Sequence, residues 1–205
     1  MIVNPTTVHQ ALQGTNLYLI GMMGSGKSTV GQVLADRLGY QFFDSDTVIE
    51  QVAQQPVSQI FAESGEAVFR ELETRVLAEI AGHGRKLVAT GGGIVLKPEN
   101  WGYLRHGVII WLDASIEILK TRLEADTTRP LLQGTDLETK LTSLYADRQA
   151  LYAQADLRIM LGETDTPEEI CDRILLALAK ACQEKRDQDA TIEELNRQKP
   201  FRLEE

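Results

Sequence analysis

Leu17-Tyr18-Leu19-Ile20-Gly21-Met22-Met23-Gly24-Ser25-Gly26-Lys27-Ser28 is the stretch on which the reading of this chain turns. Its first four residues form an apolar run of buried-strand type, and Gly21 to Ser28 fits G-x-x-x-x-G-K-[ST]. Residues 27–38 then carry helical periodicity, with Gly39 placed to stop the helix. Strand, glycine-rich turn and helix in that order are the context a phosphate-binding loop requires. Gly21, Gly24 and Gly26 let the backbone curl until several N–H groups point inward at phosphate oxygens, and the helix N-terminus adds partial positive charge. Lys27 would reach the β- and γ-phosphates of a nucleotide and Ser28 would ligate Mg²⁺. Met22, Met23, Ser25 and Thr29 complete the nucleotide-binding set of the loop.

Four further apolar runs, at residues 41–43, 87–89, 108–112 and 157–161, are each followed by a turn or polar segment and then by helical periodicity. Helices are expected at 47–53, 57–62, 66–81, 115–123, 137–152 and 167–182. In 66–81, Phe69, Leu72, Val76, Leu77 and Ile80 make one apolar stripe opposite Glu71, Arg75 and Glu79. Strands alternating with helices imply parallel crossovers and an α/β sandwich. No repeat and no Pro/Gly/Ser linker divides the 205 residues, so one domain is expected, over 16–182. Residues 1–15 show little periodicity and read as an N-terminal extension. Residues 183–205 hold 12 charged residues in 23, a solvated-tail composition with a marginal helix around Ile192 and Leu195.

Lys and Arg number 21 against 30 Asp and Glu, a formal net charge of −9. That balance argues against general binding of nucleic acid or an anionic membrane surface, which needs net positive charge. The 43% hydrophobic residues suffice for a buried core. Cys171 and Cys182 lack the spacing of a disulfide scaffold or zinc site and suit a reducing compartment. His9, His83 and His106 stand alone and read as surface or loop residues. There is no apolar run of about 20 residues and no signal-peptide pattern, so a cytoplasmic protein is expected. The chain also lacks the N-K-x-D segment of guanine-selective GTPases; Asp36-Arg37-Leu38-Gly39 matches D-x-x-G but falls at a helix end.

Asp44-Ser45-Asp46 stands at the carboxyl end of the second strand, where ligands bind in open parallel sheets. Asp44 is placed to hold Mg²⁺ through water, and Asp46 to orient or deprotonate an acceptor hydroxyl. The same three residues would also serve as a helix cap. Asp113, after Val108-Ile109-Ile110-Trp111-Leu112, fits either a metal ligand of Walker B type or a cap for the next helix. Thr90-Gly91-Gly92-Gly93 ends the third strand and clears every side chain from the rim, as a close-approaching ligand or a tight turn would need. Arg70, with Glu73 at i+3, and Arg148 lie on helices, whereas Arg129 falls in an aperiodic segment, 126–134, that reads as a mobile lid. Singly these arginines suit solvated surface, yet arginine is also the residue for bidentate carboxylate and phosphate recognition.

Gly21 to Thr29, Asp44-Ser45-Asp46, Phe69-Arg70, Thr90 to Gly93, Arg129-Pro130-Leu131-Leu132 and Arg148 to Tyr152 together resemble the shikimate kinase family in order and spacing, across residues 16–179. The resemblance implies a three-layer α/β/α P-loop kinase fold with a five-stranded parallel sheet in the order 2-3-1-4-5. It implies transfer of the γ-phosphate of ATP, with Mg²⁺, to the 3-hydroxyl of shikimate. A monomer is expected. By the same resemblance Asp46 meets the shikimate hydroxyls, Arg70 and Arg148 hold its carboxylate, and Gly91, Gly92 and Gly93 lend backbone, with Glu73 supporting Arg70. Arg129 would come from the lid, Arg122 would lie along the adenine, and Pro167 is the residue of 162–167 carried over to the base. Rival readings are a gluconate or nucleoside monophosphate kinase and a nucleotide-binding relative without catalysis. Arg70, Arg148 and the three glycines favour a small carboxylated polyol.

Overall fold

The apolar runs become strands because parallel pairing with helical crossovers buries them, most completely at the centre of the sheet. The computed structural model describes residues 4–124 and 136–198, the side chains of 195–198 excepted. The strands are β1 Leu17–Ile20, β2 Gln41–Asp44, β3 Lys86–Ala89, β4 Val108–Asp113 and β5 Leu157–Met160. All pairings are parallel and the order is β2-β3-β1-β4-β5, as expected. β1 is buried throughout, with Leu17 opposite Leu87 of β3 on one side and Val108 of β4 on the other. The chain leaves this central strand between two neighbours, opening a crevice at its carboxyl end.

The helices are α1 Pro5–Leu12, α2 Lys27–Leu38, α3 Ser45–Ala53, α4 Val57–Ala81, α5 Pro98–Leu104, α6 Ile116–Leu123, α7 Leu137–Tyr152 and α8 Pro167–Gln198, with a 3₁₀ turn at Ile94–Leu96. α2 packs on β1, β2 and β3 and ends at Gly39, whose left-handed φ of 65° closes it. α6 begins at its cap Ser115, which accepts the Ile118 N–H. Asp113 is therefore not the cap.

Four expectations change. Residues 1–15 hold a helix: Asn4 caps it, Pro5 occupies its first position, and Val8 and Leu12 are buried where α1 meets α2 and α8. His9, on that helix, binds the Leu38 carbonyl rather than standing in a loop. The helices expected at 57–62 and 66–81 are one element, α4, bent at Gly65, whose φ of 82° and ψ of 169° leave the helical region. The boundary at 182 falls inside α8, which continues to Gln198 with its residues from 183 to 194 exposed or half-exposed. The lid expectation, 126–134 with Arg129, lies outside the described residues. Among the described residues no helix is long and apolar enough to cross a membrane.

Candidate active site

The Gly21–Gly26 turn joins β1 to α2 and gives positive φ at Gly21, Gly24 and Gly26 (140°, 78° and 87°). Met22, Met23 and Ser25 are buried in the loop, while Ser28 and Thr29 are exposed on the first turn of α2. Lys27 lies back across the loop, its Nζ donating to the carbonyls of Gly21 at 3.0 Å and Met22 at 2.8 Å. A cation held against the phosphate cradle is placed to offset negative charge there.

Asp44 divides its carboxylate between the two roles left open for it. Oδ1 caps α3 by accepting the N–H groups of Asp46 at 3.0 Å and Thr47 at 3.3 Å. Oδ2 accepts the Ser28 hydroxyl at 2.5 Å, at the mouth of the loop. A hydroxyl and a carboxylate are hard oxygen donors, and a pair of them fits Mg²⁺, which uses few protein ligands and keeps water. Asp113 is not part of this pair. Its buried carboxylate takes Arg158, at 2.9 and 2.6 Å, and the Tyr145 hydroxyl, at 3.1 Å.

Beside the loop lies a cavity of about 470 Å³ lined by Asp46, Arg70, Glu73, Gly91, Gly92, Gly93 and Arg148 together with Met23 and an apolar wall from α4, including Phe61 and Phe69. The structure thus brings the expected acceptor residues to one void. Arg122 and Pro167 stand away from this cavity. Arg122 is exposed and donates to the Gly24 carbonyl at 3.4 Å, and Pro167 opens α8.

The two arginines are buried, at 8% and 4% exposure, so they are not solvated surface charges. Arg70 donates to Glu73 at 2.9 Å and to Glu66 through two nitrogens at 3.2 and 2.9 Å. Burial is the largest single influence on Arg70 and works against its charge, but Glu73 and Glu66 together outweigh it and hold the guanidinium up. Burial pushes the Glu73 carboxyl upward, and Arg70 opposes that only in part. Glu73 Oε1 is buried without a hydrogen-bond partner among the described residues. A Cβ on Gly91 would sit 2.8 Å from both this oxygen and Asp46 Oδ1, and one on Gly93 would collide with the Arg70 guanidinium. The glycines therefore serve close approach of side chains, and the tight-turn reading is insufficient.

Three residues without an expected role at the site also build it. Ser45 Oγ accepts the Gly91 N–H at 2.9 Å and ties α3 to the glycine turn. The Tyr152 hydroxyl donates to the Gly92 carbonyl at 2.5 Å, and Arg148 reaches the same oxygen at 3.3 Å. Phe61 supplies apolar wall ahead of the bend in α4. Ser45 lies between the two aspartates of its motif and Tyr152 one turn beyond Arg148 on the same helix face, whereas Phe61 has no local sign.

A family model for shikimate kinase matches residues 23–179. The chain is 55% identical to a shikimate kinase of Microcystis aeruginosa, over 84% of this chain and 91% of that one. It is 58% identical to a shikimate kinase of Rippkaea orientalis, over 82% of this chain and 89% of that one. Among solved structures it is similar to a shikimate kinase from Acinetobacter baumannii in complex with shikimate, with a TM-score of 0.77, 34% identity, and coverage of 85% of this chain and 97% of that chain. With the five-stranded parallel sheet in agreement with these matches, the chain belongs to the shikimate kinase family.

Proposed function

We propose that the chain transfers the γ-phosphoryl group of ATP to the 3-hydroxyl of shikimate, giving shikimate 3-phosphate and ADP, on the path to chorismate and the aromatic amino acids. The observation that carries this reading is the pair of buried guanidinium groups, Arg70 and Arg148, on one cavity beside a phosphate loop in a chain of net charge −9. Two fixed forks facing a small void suit a carboxylate on a compact acceptor. Gluconate shares the carboxylate, but its flexible open chain cannot use a preformed cavity as economically as a rigid ring.

In this reading Asp46 takes the proton of the acceptor hydroxyl as the oxygen–phosphorus bond forms and the bond to the ADP oxygen breaks. Lys27 offsets charge on the transferring group, with the loop N–H groups of Gly21 to Thr29 around the phosphates. Ser28 and Asp44 would hold Mg²⁺, which when bound neutralises phosphate charge. Gly91, Gly92 and Gly93 border the acceptor, Arg122 and Pro167 border the base, and Arg129 completes the set at the phosphates. We assign the chain to the cytoplasm, as a monomer. A coupled assay offering ATP with shikimate, gluconate or nucleoside monophosphates tests the reading. Turnover with shikimate at least about a hundredfold above the others in kcat/KM is expected, and comparable turnover with gluconate or a nucleotide would overturn it.

A further inference from the structure

Arg148 lies near the C-terminal end of α7, and a clamp on a small acceptor works only if its guanidinium is held to well under an ångström. Two tyrosines flank it on one helix face, Tyr145 three residues before and Tyr152 four residues after. Each is tied by its hydroxyl to the carboxyl edge of the sheet. Tyr145 donates to Oδ1 of Asp113, the last residue of β4, at 3.1 Å. Tyr152 donates to the Gly92 carbonyl, just beyond β3, at 2.5 Å.

Both anchors are themselves fixed. Arg158 holds the other oxygen of Asp113 through Nε at 2.9 Å and Nη2 at 2.6 Å. The Tyr152 ring stacks on Trp111 of β4 with centroids 5.8 Å apart and is fully buried. The Gly92 carbonyl receives Arg148 as well, at 3.3 Å, so Tyr152 and Arg148 meet on one acceptor. We propose that Tyr145 and Tyr152 are positioning residues for the acceptor clamp: they set the rotation and height of α7 against the sheet so that Arg148 meets the substrate carboxylate, and Tyr152 also fixes the Gly92 peptide. The proposal rests on the shikimate kinase reading of the site. Burial pushes the Tyr152 hydroxyl up to about 12, against the opposing pull of Arg148, so it remains a neutral donor across ordinary pH. Burial and the Asp113 carboxylate push Tyr145 up as well.

Removing one hydroxyl oxygen from each ring separates positioning from packing, because the rings stay in place. Tyr145→Phe, Tyr152→Phe and the double variant are to be compared with the parent for kcat, for KM toward shikimate and ATP, and for Tm. Tyr152→Phe is expected to raise the shikimate KM by about three- to tenfold and to leave the ATP KM within about twofold. Tyr145→Phe, at the more accessible position, should raise the shikimate KM by about two- to threefold. Unshifted shikimate KM in an active Tyr152→Phe protein would overturn the proposal, as would parallel losses in kcat and both KM values that track Tm, the mark of a merely structural role. Should Tyr152→Phe fail to fold, Tyr145→Phe decides in its place, an unchanged shikimate KM counting against the proposal. A parent inactive on shikimate would instead overturn the functional reading and the proposal with it.

Discussion

Arg70 and Arg148 border the same cavity but differ in what their loss leaves behind. Arg148→Ala removes a guanidinium whose hydrogen bond to a carbonyl is shared with Tyr152. Arg70→Ala also strips Glu73, fully buried, of its only ion-pair partner among the described residues. Both variants should lower kcat/KM for shikimate by roughly ten- to a hundredfold while ATP affinity stays within about twofold, since each removes a charge-assisted bond to the acceptor. Only Arg70→Ala should also lower Tm by several degrees, because it leaves a buried carboxylate uncompensated. Kinetics with each substrate and a melting curve check this, and an equal loss of Tm in both variants would contradict it. Glu73 also makes stability depend on pH. Its folded value lies above its unfolded one, so its contribution is complete below the unfolded value and is lost as pH rises through the folded value. The Tm of the parent minus that of Glu73→Gln should therefore fall as pH is raised from the ordinary glutamate range toward neutrality, and a flat difference would refute the shift.

At the scale of elements, the bend in α4 is the most specific feature of the acceptor side. Gly65 stands where φ is 82° and ψ is 169°, a region that essentially only glycine enters. Ahead of it Val57 and Phe61 form cavity wall, and after it come Arg70 and Glu73. Gly65→Ala has open space for its Cβ but the wrong backbone, so about 1–3 kcal/mol of strain is expected. Relief by straightening would displace wall from clamp. The variant should lose Tm and raise the shikimate KM with little change in the ATP KM; unchanged values of both would show that the bend is not required. The same bend shows what is legible here: the apolar stripe from Phe69 to Ile80 is periodic, and the loss of period before Glu66 suggests two helices where the chain builds one with a kink. Leu17–Ile20 and Lys27–Leu38 are readable to the residue because an apolar run meets Gly21 and a helical period meets Gly39. α1 and α5 are not legible because short segments show few apolar positions and neither follows an apolar strand, the context that marks α6 at the same length. The continuation of α8 escaped for the opposite reason. It is polar all round, held by local pairs such as Gln183 with Asp187 and Lys180 with Glu184, and its sign was simply the lack of Gly or Pro before Pro200. The role of Asp113 is not legible locally, because its partners Tyr145 and Arg158 lie 32 and 45 residues away.

For the molecule as a whole, the two ends contribute unequally. Val8 and Leu12 are buried at 1% and 4% exposure where α1 closes over α2 and α8. Deleting residues 1–12 removes up to about 3–6 kcal/mol of apolar burial. At roughly 2–4 °C per kcal/mol, Tm should fall by about 6–24 °C. Deleting residues 183–205, exposed or half-exposed wherever their side chains are described, should leave Tm within about 2 °C and kcat/KM within about twofold. Melting curves of the two truncated proteins decide, and a larger loss from the C-terminal deletion would reverse this account. The strand order carries a further consequence, in the time the chain takes to be made. β1 is the first strand synthesised and the most interior, yet its partners are Leu87 to Ala89 and Val108 to Trp111. More than half of the polypeptide must therefore emerge before that strand is sealed on both sides. Until then the nascent chain presents Leu-Tyr-Leu-Ile as an open edge on which another copy can nucleate, so loss to aggregation should grow with chain concentration and dilution should raise the refolded yield.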